Sequence, residues 1–353
     1  MSDPVSALID GALRTPTAPD GVLRPANPSD LDDVLGEVPF ARGLVDEAVA
    51  AARRAQPAWD ALGVEARGHA LLRLRDVLMK REDELAHAIS REMGKVLREA
   101  RAEARALVAK VDIALHEGLA LVPDVDLDAR MGWRWRPHGV LAVLGPFNFP
   151  LHLPHGHIVP ALLAGNTVVF KPSEVCPHAA SIYARAALDA ALPPGVLNVV
   201  QGDGRVGAAL SAHPGCDGVL FTGSYAVGTQ ILAANAAHPG RMIALELGGK
   251  NAAVVLDDAP IARTALEVAQ SAFSTAGQRC TCVSRLVVTR GVAEPLIDAL
   301  ADIAARMRVG HALDGDVFLG PLATGAAGAR FAEVQREAEG RAARACARPR
   351  RRR

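Results

Sequence analysis

Between Gly139 and Leu256 the chain alternates short apolar β-type runs with helical ones, and that alternation leaves few folds open. Val140–Leu144, Thr167–Phe170, Leu197–Val200, Gly218–Phe221, Ile243–Leu245 and Ala252–Leu256 read as strands, with helices predicted over 151–164, 176–191, 204–212 and 224–236. Such βα alternation specifies an α/β fold of the Rossmann type, a parallel sheet covered on both faces by helices. Ligands of such sheets gather beyond the carboxyl ends of the strands. Gly145–Asn148, Lys171–Glu174, Gly223–Ser224 and Glu246 fall at those ends. Residues 139–170 carry no Asp, Glu, Lys or Arg, but Pro146, Pro150, Pro154 and Pro160 would break a membrane-spanning helix repeatedly. The segment therefore reads as a buried strand, loop and helix.

Residues 41–121 repeat apolar positions at three- and four-residue intervals, as in Val45-Ala48-Val49-Ala52 and Leu71-Leu72-Leu74-Val77-Leu78, and predict three or four helices. Residues 1–40, rich in Pro, Asp and Gly, read as an irregular lead with short strands. Trp133 and Trp135 alternate after a Pro- and Asp-rich stretch, which predicts a hairpin strand with one covered face. Lysine plus arginine and aspartate plus glutamate both number 39, so no net field points to nucleic acid or an anionic membrane. Seven of the arginines sit in residues 341–353, which contain no acid, and the preceding 340 residues are correspondingly acidic. The N-terminus lacks the basic and apolar regions of an export signal, and five cysteines without paired spacing argue against a disulfide framework. A cytoplasmic enzyme of about two domains is the expectation.

Two stretches carry chemistry. Ser271–Thr281 places Cys280 in a short polar loop after an apolar helix, and Ala244–Asn251 places Glu246 at a strand end. A thiolate attacks carbonyl carbon well, and a carboxylate can activate the water that releases an acyl group from sulfur. By residue type alone the bland reading is the stronger one: a lone cysteine is usually a small core residue and a lone glutamate usually faces solvent. In an extended stretch the sulfur of Cys282 could point the same way as that of Cys280. His152, His155 and His157 have no acid or cysteine partner nearby, and no metal is assigned. Gly202-x-Gly204-x-x-Gly207 spells the dinucleotide fingerprint, but no acid ends the following strand, where Phe221-Thr-Gly-Ser stands instead.

Arg136–Asn148 (RPHGVLAVLGPFN), His155–Glu174 (HGHIVPALLAGNTVVFKPSE), Phe221–Ser224 (FTGS), Leu245–Asn251 (LELGGKN) and Gly277–Cys282 (GQRCTC), with 34 residues from Glu246 to Cys280, carry a family resemblance. The chain resembles the aldehyde dehydrogenase superfamily and is most similar to its succinylglutamate-semialdehyde dehydrogenase branch. The resemblance implies an NAD-binding domain in residues 1–118 and 139–246, an oligomerisation hairpin in 119–138, a partial catalytic domain in 247–340 and a divergent basic tail in 341–353. It implies Cys280 as nucleophile, Glu246 as base, and the Asn148 side chain with the Cys280 backbone N–H as oxyanion donors. Lys171 and Glu174 would hold the adenosine ribose, Gly202 and Gly207 would admit the adenine side, Ser224 with the following helix N-terminus would meet the pyrophosphate, and Ser173, Phe221, Thr222, Gly223, Gly228, Leu247 and Gly248 would complete the NAD site. A carboxylate at Glu174 would repel a 2′-phosphate, which favours NAD over NADP.

The resemblance further implies oxidation of N-succinylglutamate 5-semialdehyde to N-succinylglutamate in arginine catabolism, by a homo-oligomer that binds neither nucleic acid nor membrane. Arg279 and Arg285 flank the nucleophile as candidate carboxylate ligands. The resemblance fades near Glu339 and members normally continue further, so an inactive or merely cofactor-binding fragment is an alternative, and a Cys-dependent thioesterase is another.

Overall fold

The βα alternation closes into one seven-stranded sheet in the computed structural model, which describes residues 5–340. The order across the sheet is Met242–Leu247, Gly218–Gly223, Val140–Leu144, Thr167–Lys171, Leu197–Val200, Ala7–Ile9, Ala12–Arg14. The first five are parallel, and the last two, from the irregular lead, extend the edge antiparallel. From Val140–Leu144 the chain winds first to one side and then to the other. A crevice opens at such a switch point, beyond the carboxyl ends of the two central strands. Five of the predicted strands lie in this sheet, with ends longer by one to two residues at Lys171, Gly223 and Leu247, whereas the sixth, expected over Ala252–Leu256, forms as Asn251–Val255 in a separate sheet.

Period-two alternation divides the strand side chains between two cores. Val140, Ala142 and Leu144 join Val45, Ala48 and Val49 of helix α1 (Leu44–Ala61) on one face. Leu141 and Val143 join the other core, with Leu71 and Leu74 of α2 (Gly63–Lys80), Ile89 of α3 (Glu82–Met93) and Leu107 of α4 (Leu97–Ile113). Ile158 of α5 (His152–Leu163) and Ile182 of α6 (Pro177–Asp189) complete that layer. Each such leucine or isoleucine contributes roughly 1.5–3 kcal/mol by leaving water. The first face is closed by α7 (Gly204–Ser211) and α8 (Tyr225–Asn235) through Val206, Leu210 and Ile231. Among the described residues no helix is long and apolar enough to cross a membrane.

His155 shows how a polar ring survives in the larger core. Its Nε2 lies 3.0 Å from the Leu107 carbonyl, which can only accept, so Nε2 carries the proton and Nδ1 accepts from the Tyr183 hydroxyl at 2.7 Å. Complete burial holds the imidazole down at about 3, far below its ordinary 6.5. Unfolding restores the ordinary affinity for protons, so the folded state is favoured fully above pH 6.5 and loses about 1.4 kcal/mol per unit as the pH falls toward 3. Denaturant titrations of the wild type and His155→Gln at a series of pH values should show the variant lacking that slope; parallel curves would refute it.

The hairpin forms, with Val125–Asp126 antiparallel to Gly132–Trp133, but its expected covered face does not. Trp133 is 50% exposed, and Trp135 lies beyond the strand at 56%. Past Leu247 a second, two-stranded parallel sheet pairs Asn251–Val255 with Val283–Val288. α9 (Ile261–Phe273) and α10 (Arg290–Arg306) pack on it around Val255, Ala265 and Leu296. The arginine-rich tail and Cys346 lie outside the described residues.

Candidate active site

α9 ends at Phe273, and the chain then turns through Thr275, Ala276 and Gly277 with φ of 56°, 53° and 73°. Three left-handed residues in a row reverse its direction and deliver Gln278–Cys282 to the edge of the second sheet. Cys280 is exposed there, whereas Cys282 is buried with Sγ 3.7 Å from the Ser274 carbonyl. The segment is a turn, closed by the Cys282 N–H on the Arg279 carbonyl at 3.2 Å, so the two sulfurs part company. Burial pushes the Cys216 thiol up to about 12 and holds that of Cys176 well above the ordinary thiol range, which leaves both as inert core residues.

Three side chains pin the Cys280 loop from outside. Asn251, five residues beyond Glu246, donates to the carbonyls of Cys280 at 2.6 Å and Cys282 at 3.1 Å. Asn148 donates through Nδ2 to the Gln278 carbonyl at 2.7 Å. Glu99 of α4 accepts from both the backbone N–H and the hydroxyl of Thr275, each at 2.8 Å. The Gln278 side chain in turn accepts from the Ala323 N–H at 3.0 Å.

Asn148 is itself held. A buried ion pair joins Lys95 Nζ to Glu103 at 2.6 Å, and the same ammonium donates to the Asn148 carbonyl at 2.7 Å. The other Glu103 oxygen accepts from the N–H groups of Leu151 and His152 at the start of α5. A carboxylate there satisfies orphan donors and suits the positive helix end. Lys95 also sits 3.8 Å from the centroid of the Phe149 ring. One Asn148 amide hydrogen is engaged by Gln278, and an amide has two.

Glu246 is exposed at the end of its strand and pairs in register with Thr222. His157 of α5 reaches the same place, its Nε2 3.4 Å from the Thr222 hydroxyl. Burial holds His157 below the ordinary histidine range, opposed by the charge of Glu246. The sequence suggested His157 only as a metal ligand to be dismissed; its signal was its place on the helix that follows Asn148. Among the described residues no cluster of three potential metal ligands occurs.

The residues expected to bind a dinucleotide line the sheet's carboxyl edge. Buried Lys171 donates to Glu174 at 2.8 Å. Burial raises the Glu174 carboxyl, but the charge and hydrogen bond of Lys171 outweigh it and hold it below the ordinary carboxylate range. Ser173 is buried beside them, its hydroxyl accepting from the Val175 N–H. Gly207 packs its backbone toward Leu144 and Lys171, where a Cβ would come within 3.4 Å of the leucine. Gly202, with φ of 154°, would drive a Cβ into Val206. α7 is capped by Asp203, whose carboxylate accepts from the Arg205 N–H, so the glycine-rich fingerprint directs its helix end at its own acid rather than at a phosphate.

α8 differs. Its cap is neutral Ser224, which accepts from the Val227 N–H, and its first turn is exposed. An uncharged, open helix end suits an anion. Gly228 sets this helix on the Leu247 side chain, where a Cβ would approach to 2.7 Å, and Gly223 leaves room for the Phe221 ring. Gly248 has open space around it.

The two arginines part ways. Arg285 spends its guanidinium on the Lys250 carbonyl. Arg279 lies 5.7 Å from the Phe149 ring centroid, with its Nε buried and unpartnered.

Residues 18–351 match the family described as the aldehyde dehydrogenase family. The chain belongs to the aldehyde dehydrogenase family. The match runs past Glu339 into the arginine-rich segment. The N-succinylglutamate 5-semialdehyde dehydrogenase of Burkholderia mallei (strain SAVP1) is 42% identical over 332 residues, covering 93% of this chain and 68% of that protein. The enzyme of the same name from Novosphingobium aromaticivorans is 45% identical over 285 residues, covering 79% and 60%. Among solved structures, a mutant of aldehyde dehydrogenase C from Pseudomonas syringae, complexed with NAD+ and octanal, superposes with a TM-score of 0.91 at 32% identity. It covers 96% of this chain and 70% of that one. An E. coli NADP dependent enzyme gives 0.91, also at 32% identity, covering 96% and 71%.

Proposed function

We propose that this aldehyde dehydrogenase oxidises N-succinylglutamate 5-semialdehyde to N-succinylglutamate with NAD. The observation that carries the reading is the Asn148 amide on the Gln278 carbonyl, which joins an oxyanion donor to the loop of an exposed cysteine. The Cys280 thiolate adds to the aldehyde carbon, and the carbonyl π pair becomes an alkoxide facing the second Asn148 N–H. Collapse of the alkoxide expels hydride and leaves a thioester on Cys280. Glu246 then takes a proton from water, whose oxygen attacks the thioester and releases the carboxylic acid and the thiolate.

NAD supplies the hydride acceptor when bound. Lys171, Ser173 and Glu174 would hold its adenosine ribose, Gly202 and Gly207 would border the adenine, and Ser224 with the open end of α8 would take the pyrophosphate. Phe221, Thr222, Gly223, Gly228, Leu247 and Gly248 shape the wall between those points. Glu174, held anionic by Lys171, disfavours the extra phosphate of NADP. The relatives' names support the dicarboxylate semialdehyde, and Arg279, with a buried N–H to spare, is the better carboxylate ligand of the two arginines. We read residues 119–138 as a hairpin that a neighbouring copy covers, with 247–340 as the catalytic unit beside the dinucleotide-binding one.

The test is NADH formation by the purified chain with N-succinylglutamate 5-semialdehyde, with octanal as an apolar comparison and NADP as alternative oxidant. The dicarboxylate with NAD should give the highest kcat/KM. Absence of aldehyde-dependent NADH with either aldehyde overturns the reading, and faster octanal turnover overturns the substrate. Asn148→Ala should lower kcat by about 10²–10³ while leaving NAD affinity unchanged; a loss confined to KM would remove Asn148 from the oxyanion site.

A further inference from the structure

α4 reaches the reaction loops with two acids one helical turn apart. Glu103 holds the Asn148 side through Leu151 and His152, and Glu99 holds the Cys280 side through Thr275. Thr275 and Ala276 are non-glycine residues in the left-handed region, a conformation that is costly for any side chain bearing a Cβ. Residues kept there need surroundings that over-determine them. Thr275 is buried, and both of its side-facing donors, N–H and Oγ–H, end on the same Glu99 oxygen, from a helix 176 residues away in sequence. The other Glu99 oxygen is buried without a hydrogen-bond partner. No acid in the nucleophile's own segment could do this, since Ser271–Thr281 contains none.

The geometry points to Glu99 as a positioning residue for Cys280: by clamping Thr275 it keeps the 275–277 turn in its left-handed form, and that turn sets where the thiol stands relative to Asn148. α4 thereby becomes the common strut of nucleophile and oxyanion donor. Its own N-terminus is tied down by the Leu97 N–H on the Ala312 carbonyl at 2.9 Å and by Arg98 on the carbonyls of Val317 and Phe318. The inference rests on the reading of Cys280 as nucleophile, yet its test does not depend on turnover.

Glu99→Ala and Glu99→Gln are compared with the wild type for iodoacetamide alkylation of Cys280, followed by peptide mass spectrometry across pH 6–10, beside kcat, KM and thermal unfolding. Release of the turn should change the Cys280 alkylation rate several-fold and lower kcat on the order of 10- to 100-fold with KM for NAD nearly constant. Glu99→Gln, which keeps one acceptor oxygen, should fall between, and it carries the test if the alanine variant fails to fold. Alkylation and kcat unchanged in a folded variant overturn the proposal. An inactive wild type whose Cys280 alkylation still responds to Glu99 sinks the proposed function and leaves the clamp standing.

Discussion

Cys280→Ala is expected to lower aldehyde oxidation by about 10⁴-fold or more, because the covalent route loses its nucleophile and the other three thiols among the described residues are buried. Cys282 is only two residues away, but it is buried against the Ser274 carbonyl behind a closed turn. Dinucleotide affinity should survive, since the residues assigned to it lie along the other sheet. The companion variant Cys282→Ala should keep kcat within a few-fold and lose about 1 kcal/mol of stability to the vacated volume. Fluorescence titration with NAD and steady-state rates for both variants decide the matter: substantial activity in Cys280→Ala, or its loss only in Cys282→Ala, would transfer the chemistry to the wrong sulfur.

Glu246→Gln separates the two halves of the reaction. Thiolate addition and hydride loss do not need the carboxylate, so one equivalent of NADH per site should appear in a burst. Hydrolysis does need it, and the steady rate should drop by about 10²–10⁴. Rapid mixing with aldehyde and NAD, followed by acid quench and mass spectrometry, should find the acyl group on Cys280. A variant that simply slows without burst or adduct would mean that Glu246 serves an earlier step.

The sheet was legible in the sequence because parallel strands buried on both faces are written as short uncharged runs, and Val140–Leu144 and Thr167–Phe170 are read off directly, with only Lys171 added by the structure. Cys280, Glu246 and Asn148 were singled out by motif and resemblance. What escaped was long-range. Glu99, Glu103 and Lys95 sit in a helical stretch of alternating acids and bases, where charges ordinarily face water and pair along the helix. Only tertiary packing turns Lys95 and Glu103 inward as a fully buried pair. Likewise Arg285 and Arg279 are indistinguishable by type, and the carbonyl of Lys250 is what separates them. The hairpin tryptophans misled for a related reason: alternation signals a covered face, but the described residues leave both rings half exposed.

Those tryptophans give the molecule its own optical markers. The chain has three, and Trp59 is sealed in the core with its indole N–H on the Leu162 carbonyl, while Trp133 and Trp135 are half exposed on the hairpin. Emission therefore splits into a shielded blue component that follows global unfolding and a red component open to iodide. Self-association through the hairpin would dim the quenchable share alone, so one cuvette can distinguish an assembling population from a melting one.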